Sequence, residues 1–180
     1  MPSVTPSVVN YPKNDFWNNY LAFDREGIYD TKLEVNEMDK REIILAAFAP
    51  ANGSSHTPVQ VQKLLFLIDR EIPKLVGGPH YDFKPYNYGP FDVSLYDELL
   101  ELAGDGYVEI VPEQTWSSYR LTEKGQQTGD TLLTSLDTKA QEFITTASKF
   151  VRGLSFEQLV SAIYKAYPEM KANSVFQGCE

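Results

Sequence analysis

Apolar residues recur along this chain in two rhythms, one helical and one alternating. Val61, Leu64, Leu65, Ile68 and Ile72 fall three or four positions apart, the spacing of one buried helical face. Thr57 stands before them as an N-cap, Pro58 takes the first helical position, and Gln60 completes a Thr-x-x-Gln capping box. Pro73 and the Gly77-Gly78-Pro79 run end this helix. A second helix is predicted from Asp92, its cap, through Ala103. Val93, Tyr96, Leu100 and Ala103 form one stripe there, with Leu95, Leu99 and Leu102 beside it. Phe91 against Tyr96 makes a hydrophobic staple, and Gly104 and Gly106 close the helix. The rhythm then changes to two. Tyr107, Glu109 and Val111 alternate with Val108 and Ile110, residues 112–115 make a loop, and residues 116–121 return as a strand. The pair predicts a small hairpin, or wing.

The flanks read as further helices. Residues 39–48 place Ile43, Ile44, Ala47 and Phe48 on one face, before a turn at Pro50 and Gly53. Leu132, Leu133 and Leu136 lead into Phe143, Ile144, Ala147, Phe150 and Val151, with Gly125 and Gly129 weakening the first turns. Thr138 with Gln141 restarts that helix after Asp137. Ser155 and Gln158 box a last helix, in which Leu154 staples Leu159. Phe156, Leu159, Val160, Ile163, Tyr164 and Tyr167 are apolar there. The final residues fray unless Val175 and Phe176 dock. At the other end, Phe16, Trp17, Tyr20 and Leu21 approximate helical spacing within an otherwise extended arm. One or two turns there would dock their aromatics on a larger body, being too short to stand alone. The fold class expected is mainly α with a small antiparallel β-hairpin, a winged-helix-like core with additional N- and C-terminal helices. Residues 1–36 form the arm and 37–180 one domain, with the winged unit at 56–125 and a helical extension at 126–180.

Between the two central helices, Tyr81, Phe83 and Pro85 alternate with Asp82 and Lys84, an extended pattern. Tyr86, Tyr88 and Phe91 then crowd around Gly89 and Pro90, the structural turn: Gly89 relieves the backbone and Pro90 keeps Gly89 out of a helical conformation. Such a turn serves as a structural plug or as a contact site. Its place between two core helices favours the plug.

Charge decides how the winged unit is read. The 180-residue chain carries a net charge of −9, with 42% hydrophobic residues, eleven Tyr and ten Phe. Residues 56–125 hold six Lys and Arg against eleven Asp and Glu. In a winged helix the helix before the wing enters the major groove, and the phosphates there ask for cations. Here that helix carries Asp92, Asp97, Glu98 and Glu101 and no Lys or Arg. A protein surface is therefore the first expectation. Its contact residues would be Tyr86, Tyr88, Phe91, Tyr96, Asp97 and Glu101. The alternative is a winged-helix DNA-binding transcriptional regulator, as a homodimer, whose Lys63, Lys74, Arg120 and Lys124 converge into one basic patch. Otherwise Lys63, Arg70 and Lys74 decorate a solvated helix face.

Chemistry offers little else. His56 flanks the Thr57 cap, and with His80 it completes the histidines. Two histidines and one cysteine, Cys179, give no support to a metal cluster. No phosphate-binding glycine loop and no nucleophile elbow occur. No enzyme activity, cofactor or metal is expected. A single Cys, no signal-like opening and no apolar run of membrane-spanning length point to a reducing cytoplasmic setting and no membrane partner.

Several stretches resemble a known family. VQKLLFLIDR at 61–70, FKPYNYGPF at 83–91, the helix around Tyr96, and YRLTEKG at 119–125 are similar to the SocA-like, or Panacea-domain, antitoxin superfamily and its uncharacterised bacterial relatives. IYKAYPEMKANS at 163–174 is similar to the ends of those relatives. Its core Gln-Lys-Leu maps onto Gln62, Lys63 and Leu64, and its Tyr-Gly-Pro turn onto Tyr88, Gly89 and Pro90. The resemblance implies neutralisation of a toxin, or an accessory role in bacterial or phage conflict, through protein contact. It implies no catalytic residues. The chain departs from the simplest family pattern in its aromatic N-terminal arm and its extended C-terminal region.

Overall fold

A computed structural model describes residues 36–178 of the chain. The elements run α1 (Lys40–Phe48), α2 (Pro58–Glu71), α3 (Pro73–Val76), β1 (Lys84–Tyr86), β2 (Gly89–Phe91), α4 (Ser94–Gly104), β3 (Val108–Pro112) and β4 (Ser117–Leu121). Then follow α5 (Glu123–Ser135), α6 (Thr138–Gly153) and α7 (Phe156–Ala166), with 3-10 turns at Ala49–Ala51 and Pro168–Lys171. The protein is mostly helical with two small antiparallel hairpins, β1–β2 and β3–β4. The expected aromatic helix at Phe16, Trp17, Tyr20 and Leu21 lies outside the described residues, as does Cys179.

Helix α1 starts at Lys40, and Asp39, expected as its first residue, stands as its cap. The Asp39 carboxylate accepts from Arg41 N and Glu42 N, both at 2.9 Å, and Glu42 returns the contact to Asp39 N at 3.0 Å. The helix is enclosed rather than one-sided, for residues 43–48 are all buried. It packs on α2, α4, α5 and α6. Its crossing with α5 depends on Gly129, where a Cβ would stand 2.5 Å from Leu45 O. Gly125 likewise lets α5 start against the chain entering β3: a Cβ there would lie 1.9 Å from Tyr107 O. These two glycines, expected only to weaken a helix, are close-approach residues.

Helix α2 carries the Thr57–Gln60 capping box and buries residues 61–69 almost without interruption. Its last buried turn ends in a polar knot. One Asp69 oxygen accepts from His80 N and Tyr81 N, each at 2.8 Å, and the other meets His80 Nδ1 at 2.8 Å. His80 Nε2 lies 2.8 Å from Met38 O. Burial opposes a charge on His80, but the acceptors facing both ring nitrogens favour the protonated ring and raise it above its ordinary value. The knot ties the chain entering α1 to the end of α2. Gly78 makes room for it, since a Cβ would lie 2.8 Å from His80 Nδ1.

The second hairpin forms where expected, with its register running from Val108 opposite Leu121 to Pro112 opposite Ser117. His56 adds one antiparallel bridge to Tyr119, with N–H to O distances of 2.7 and 2.9 Å in the two directions. The first hairpin is a correction to the sequence reading, which expected a plain turn. Lys84 pairs with Phe91, Pro85 with Pro90 and Tyr86 with Gly89. Gly89 has φ +99°, a conformation that glycine adopts without strain.

Helix α7 starts at the expected Ser155–Gln158 box, whereas α6 is capped by Asp137, which accepts from Lys139 N at 2.9 Å, and not by the expected Thr138–Gln141 pair. Phe156, predicted on the buried face of α7, is instead largely exposed. The tail docks. Val175 N–H donates to Asn87 O at 3.0 Å, and Asn173 Nδ2 donates to Pro85 O at 3.1 Å. Tyr164 OH donates to Ser174 Oγ at 2.6 Å.

Candidate protein-binding face

The first hairpin and α4 are set on α2 by two adjacent side chains. Gln62 Nε2 donates to Asp92 O at 3.0 Å, and Asp92 N–H donates to Gln62 Oε1 at 3.0 Å. The side-chain amide thus behaves as one more strand residue, satisfying both backbone groups of Asp92. Lys63 Nζ donates to Pro90 O at 3.2 Å. Lys63 is buried, contrary to the solvated face expected for it, and that burial pushes its amine down to about 7. The Gln-Lys of α2 and the Gly-Pro of the turn, far apart in sequence, are in direct contact.

Above this anchor the aromatics form a continuous row. Tyr86 stacks on Phe91 with ring centroids 4.9 Å apart, Phe91 meets Tyr96 at 6.0 Å, and Tyr96 meets Tyr119 at 6.2 Å. Burial raises the Tyr96 hydroxyl, against the lowering effect of its hydrogen bond to Gln62. Tyr88 leaves the row and packs edge-on against Phe156 at 5.0 Å, which in turn meets Phe176 at 6.0 Å. Phe91 and Tyr96 are therefore partly buried, while Tyr86 and Tyr88 remain 51% and 40% exposed.

Helix α4 starts at Ser94, one residue later than predicted, with Val93 in the cap position expected for Asp92. The Asp92 carboxylate accepts from Ser94 N at 2.8 Å and Ser94 Oγ at 2.7 Å, and its second oxygen accepts from Asp82 N at 2.7 Å. Leu95, Leu99 and Leu102 point into the core. Val93 and Leu100, read as one apolar stripe with Tyr96 and Ala103, are 65% and 60% exposed. Sequence reasoning missed them as surface residues. The available signal was that α4 is apolar on two opposite sides, and only one can face a core. Asp97 and Glu101 stand exposed on the same outer side. Arg41 approaches that side from α1, 3.9 Å from Glu101 and bonded to Asp105. Trp116, at the tip of the β3–β4 hairpin, is also exposed.

The four cations weighed for a nucleic-acid surface have separate employments. Lys63 is buried under β2. Lys74 is exposed on α3. Arg120 binds Glu109 through Nε at 2.8 Å and a terminal nitrogen at 2.7 Å. Lys124 donates to Asp105 O at 2.9 Å and lies 4.0 Å from the centroid of the Tyr107 ring.

His56 does more than flank a cap. It is fully buried and stacked on Phe48 at 4.2 Å, and neither ring nitrogen has a hydrogen-bond partner. Burial, with Arg152 nearby, lowers it to about 3, so it is neutral. Among the described residues no group of three His, Cys, Asp or Glu side chains could hold a metal, and no helix is long and apolar enough to cross a membrane. No protein-family model, curated protein or solved structure matches the chain.

Proposed function

We propose that this protein is an antitoxin-like or phage–host conflict accessory protein that acts by binding another protein through the outer face of α4 and the adjoining β1–β2 hairpin. The observation that carries the reading is the makeup of that face. Val93 and Leu100 are bare apolar side chains, and Asp97 and Glu101 are the charges between and beside them. Exposed apolar side chains grouped on one helix side mark contact surfaces. The resemblance to the antitoxin superfamily agrees with it, since the two motifs that carry the likeness, Gln62-Lys63-Leu64 and Tyr88-Gly89-Pro90, meet at the anchor of this face.

The finer fold reading is a winged helix. The order α1, the His56 bridge, α2, α4 and the β3–β4 hairpin supports it. That order also keeps a DNA-binding regulator as the second reading, for α4 would be the groove-entering helix. The carboxylates on α4 oppose phosphate there. The test is affinity capture with the full chain in its native host, with and without nuclease. A stoichiometric protein recovered in both arms supports the protein-binding reading. Recovery confined to the untreated arm, with nucleoid components, replaces it with the second.

A further inference from the structure

The outer face of α4 also carries information about what would cover it, if it is the binding face proposed above. Val93 and Leu100 are seven residues apart, about 10 Å along one side of the helix. That is the spacing at which a second helix, packed 8–10 Å away, places successive apolar side chains. Asp97 stands between them and Glu101 beside Leu100, both exposed. Asp97 has no ion-pair partner among the described residues, Arg41 serves both Glu101 and Asp105, and Lys124 is engaged by Asp105 O and the Tyr107 ring. The face is therefore an apolar pair in a negative field.

Three occupants are conceivable and the charges separate them. A second copy of this chain, meeting α4 with α4 about a two-fold axis, would bring one acidic face against another, and like charges at an interface are costly. A nucleic acid would meet the same carboxylates with phosphate. A helix bearing apolar residues one heptad apart, flanked by Lys or Arg, satisfies both features at once. We infer that the outer face of α4 receives an amphipathic, Lys- or Arg-rich helix of a partner protein, with two apolar side chains against Val93 and Leu100 and cations against Asp97 and Glu101.

Fluorescence anisotropy with the full chain tests this. The probe is a labelled synthetic helix of roughly 18 residues, leucines at heptad positions and lysines beside them, alongside a twin with glutamates for the lysines. The lysine peptide is expected to bind, and its affinity to fall at least about tenfold in Val93→Asp/Leu100→Asp and in Asp97→Lys/Glu101→Lys. A charge-matched control, Glu123→Lys/Glu157→Lys, alters other exposed acids and is expected to leave affinity within about twofold. Equal loss in the control would reduce the effect to net charge and overturn the inference. So would equal binding of the glutamate peptide, duplex DNA binding lost in the same variants, or self-association abolished by Val93→Asp/Leu100→Asp. If the lysine peptide fails but Val93→Asp/Leu100→Asp still loses a captured host protein, the basic helix is wrong and the protein-binding reading stands. If both fail, both fall.

Discussion

Gln62 holds Asp92 by both of its backbone groups, donating to the carbonyl and accepting from the amide at 3.0 Å each. This pair sets where the first hairpin ends and α4 begins. Gln62→Leu would leave a partly buried N–H and C=O without partners, at a cost of roughly 1–3 kcal/mol. Gln62→Glu can still accept from Asp92 N–H but cannot donate to its carbonyl, so it should fall between. Urea denaturation of the three proteins measures the order.

Lys63 should give the protein an unusual alkaline stability profile. Below pH about 7 the folded and unfolded states both carry the proton, and burial of the charge is fully costly. Between about 7 and 10.5 the folded state has shed a proton that the unfolded state keeps. Stability from this group therefore rises with pH across that window. Lys63→Met, close in length and apolar, should lose that rise and be at least as stable as the wild type at pH about 6. Denaturation midpoints taken through the window decide it; an identical slope in both proteins would contradict the assignment.

The two histidines should act at opposite ends of the pH scale. His56 is lowered to about 3 by burial, so between 3 and 6.5 the unfolded chain takes up a proton that the folded one refuses. Stability falls as pH drops below 6.5. His56→Phe keeps the stack on Phe48 and removes two unpartnered nitrogens. It should flatten the acid side and leave stability at pH 7 unchanged or raised.

His80 has the reverse sign. Burial opposes its charge, but the hydrogen bonds to Asp69 and Met38 O and the charges of Asp69 and Asp39 outweigh that and raise it above 6.5. Its contribution is complete below 6.5 and is lost as pH rises through the raised value. His80→Gln should therefore cost more stability at pH 6 than at pH 9. Thermal melts of the variant and wild type at the two pH values check the sign.

Gly129 should not tolerate a methyl group. Its Cβ would sit 2.5 Å from Leu45 O, inside the α1–α5 crossing. Alanine normally favours a helix over glycine by about 1 kcal/mol. Here Gly129→Ala should instead destabilise by roughly 1–3 kcal/mol, read as a lowered melting temperature. An increase would mean that the helices can part without cost.

What could be read from the residues is what local chemistry encodes. Thr57 with Gln60 and Ser155 with Gln158 each declare a helix start within four residues, and both are in place. The alternation from Tyr107 to Val111 likewise declared the first strand of the β3–β4 hairpin. What stayed hidden depends on partners distant in sequence. Each strand of the β1–β2 ladder is three residues long, and the alternation at 81–85 that leads into β1 does not name its pairing partner. Lys63 is buried because a hairpin 27 positions away closes over it. Val93 and Leu100 were read only as part of one of two apolar stripes on α4, and only the position of the core selects Leu95, Leu99 and Leu102 as the inner one. The candidate site was half legible for the same reason: Tyr86, Asp97 and Glu101 were placed at the surface, and the two aliphatic residues between them were not.

The central claim is that α4 presents its outer side to a protein. Its most direct measurement is quantitative capture from the native host with wild type and Val93→Asp/Leu100→Asp, nuclease-treated, after melts confirm that the variant folds. Both residues are largely solvent-facing, so the fold should persist. The account predicts a protein partner held by the wild type and reduced at least about tenfold by the variant. Recovery of the same partner in equal amount by both would contradict it.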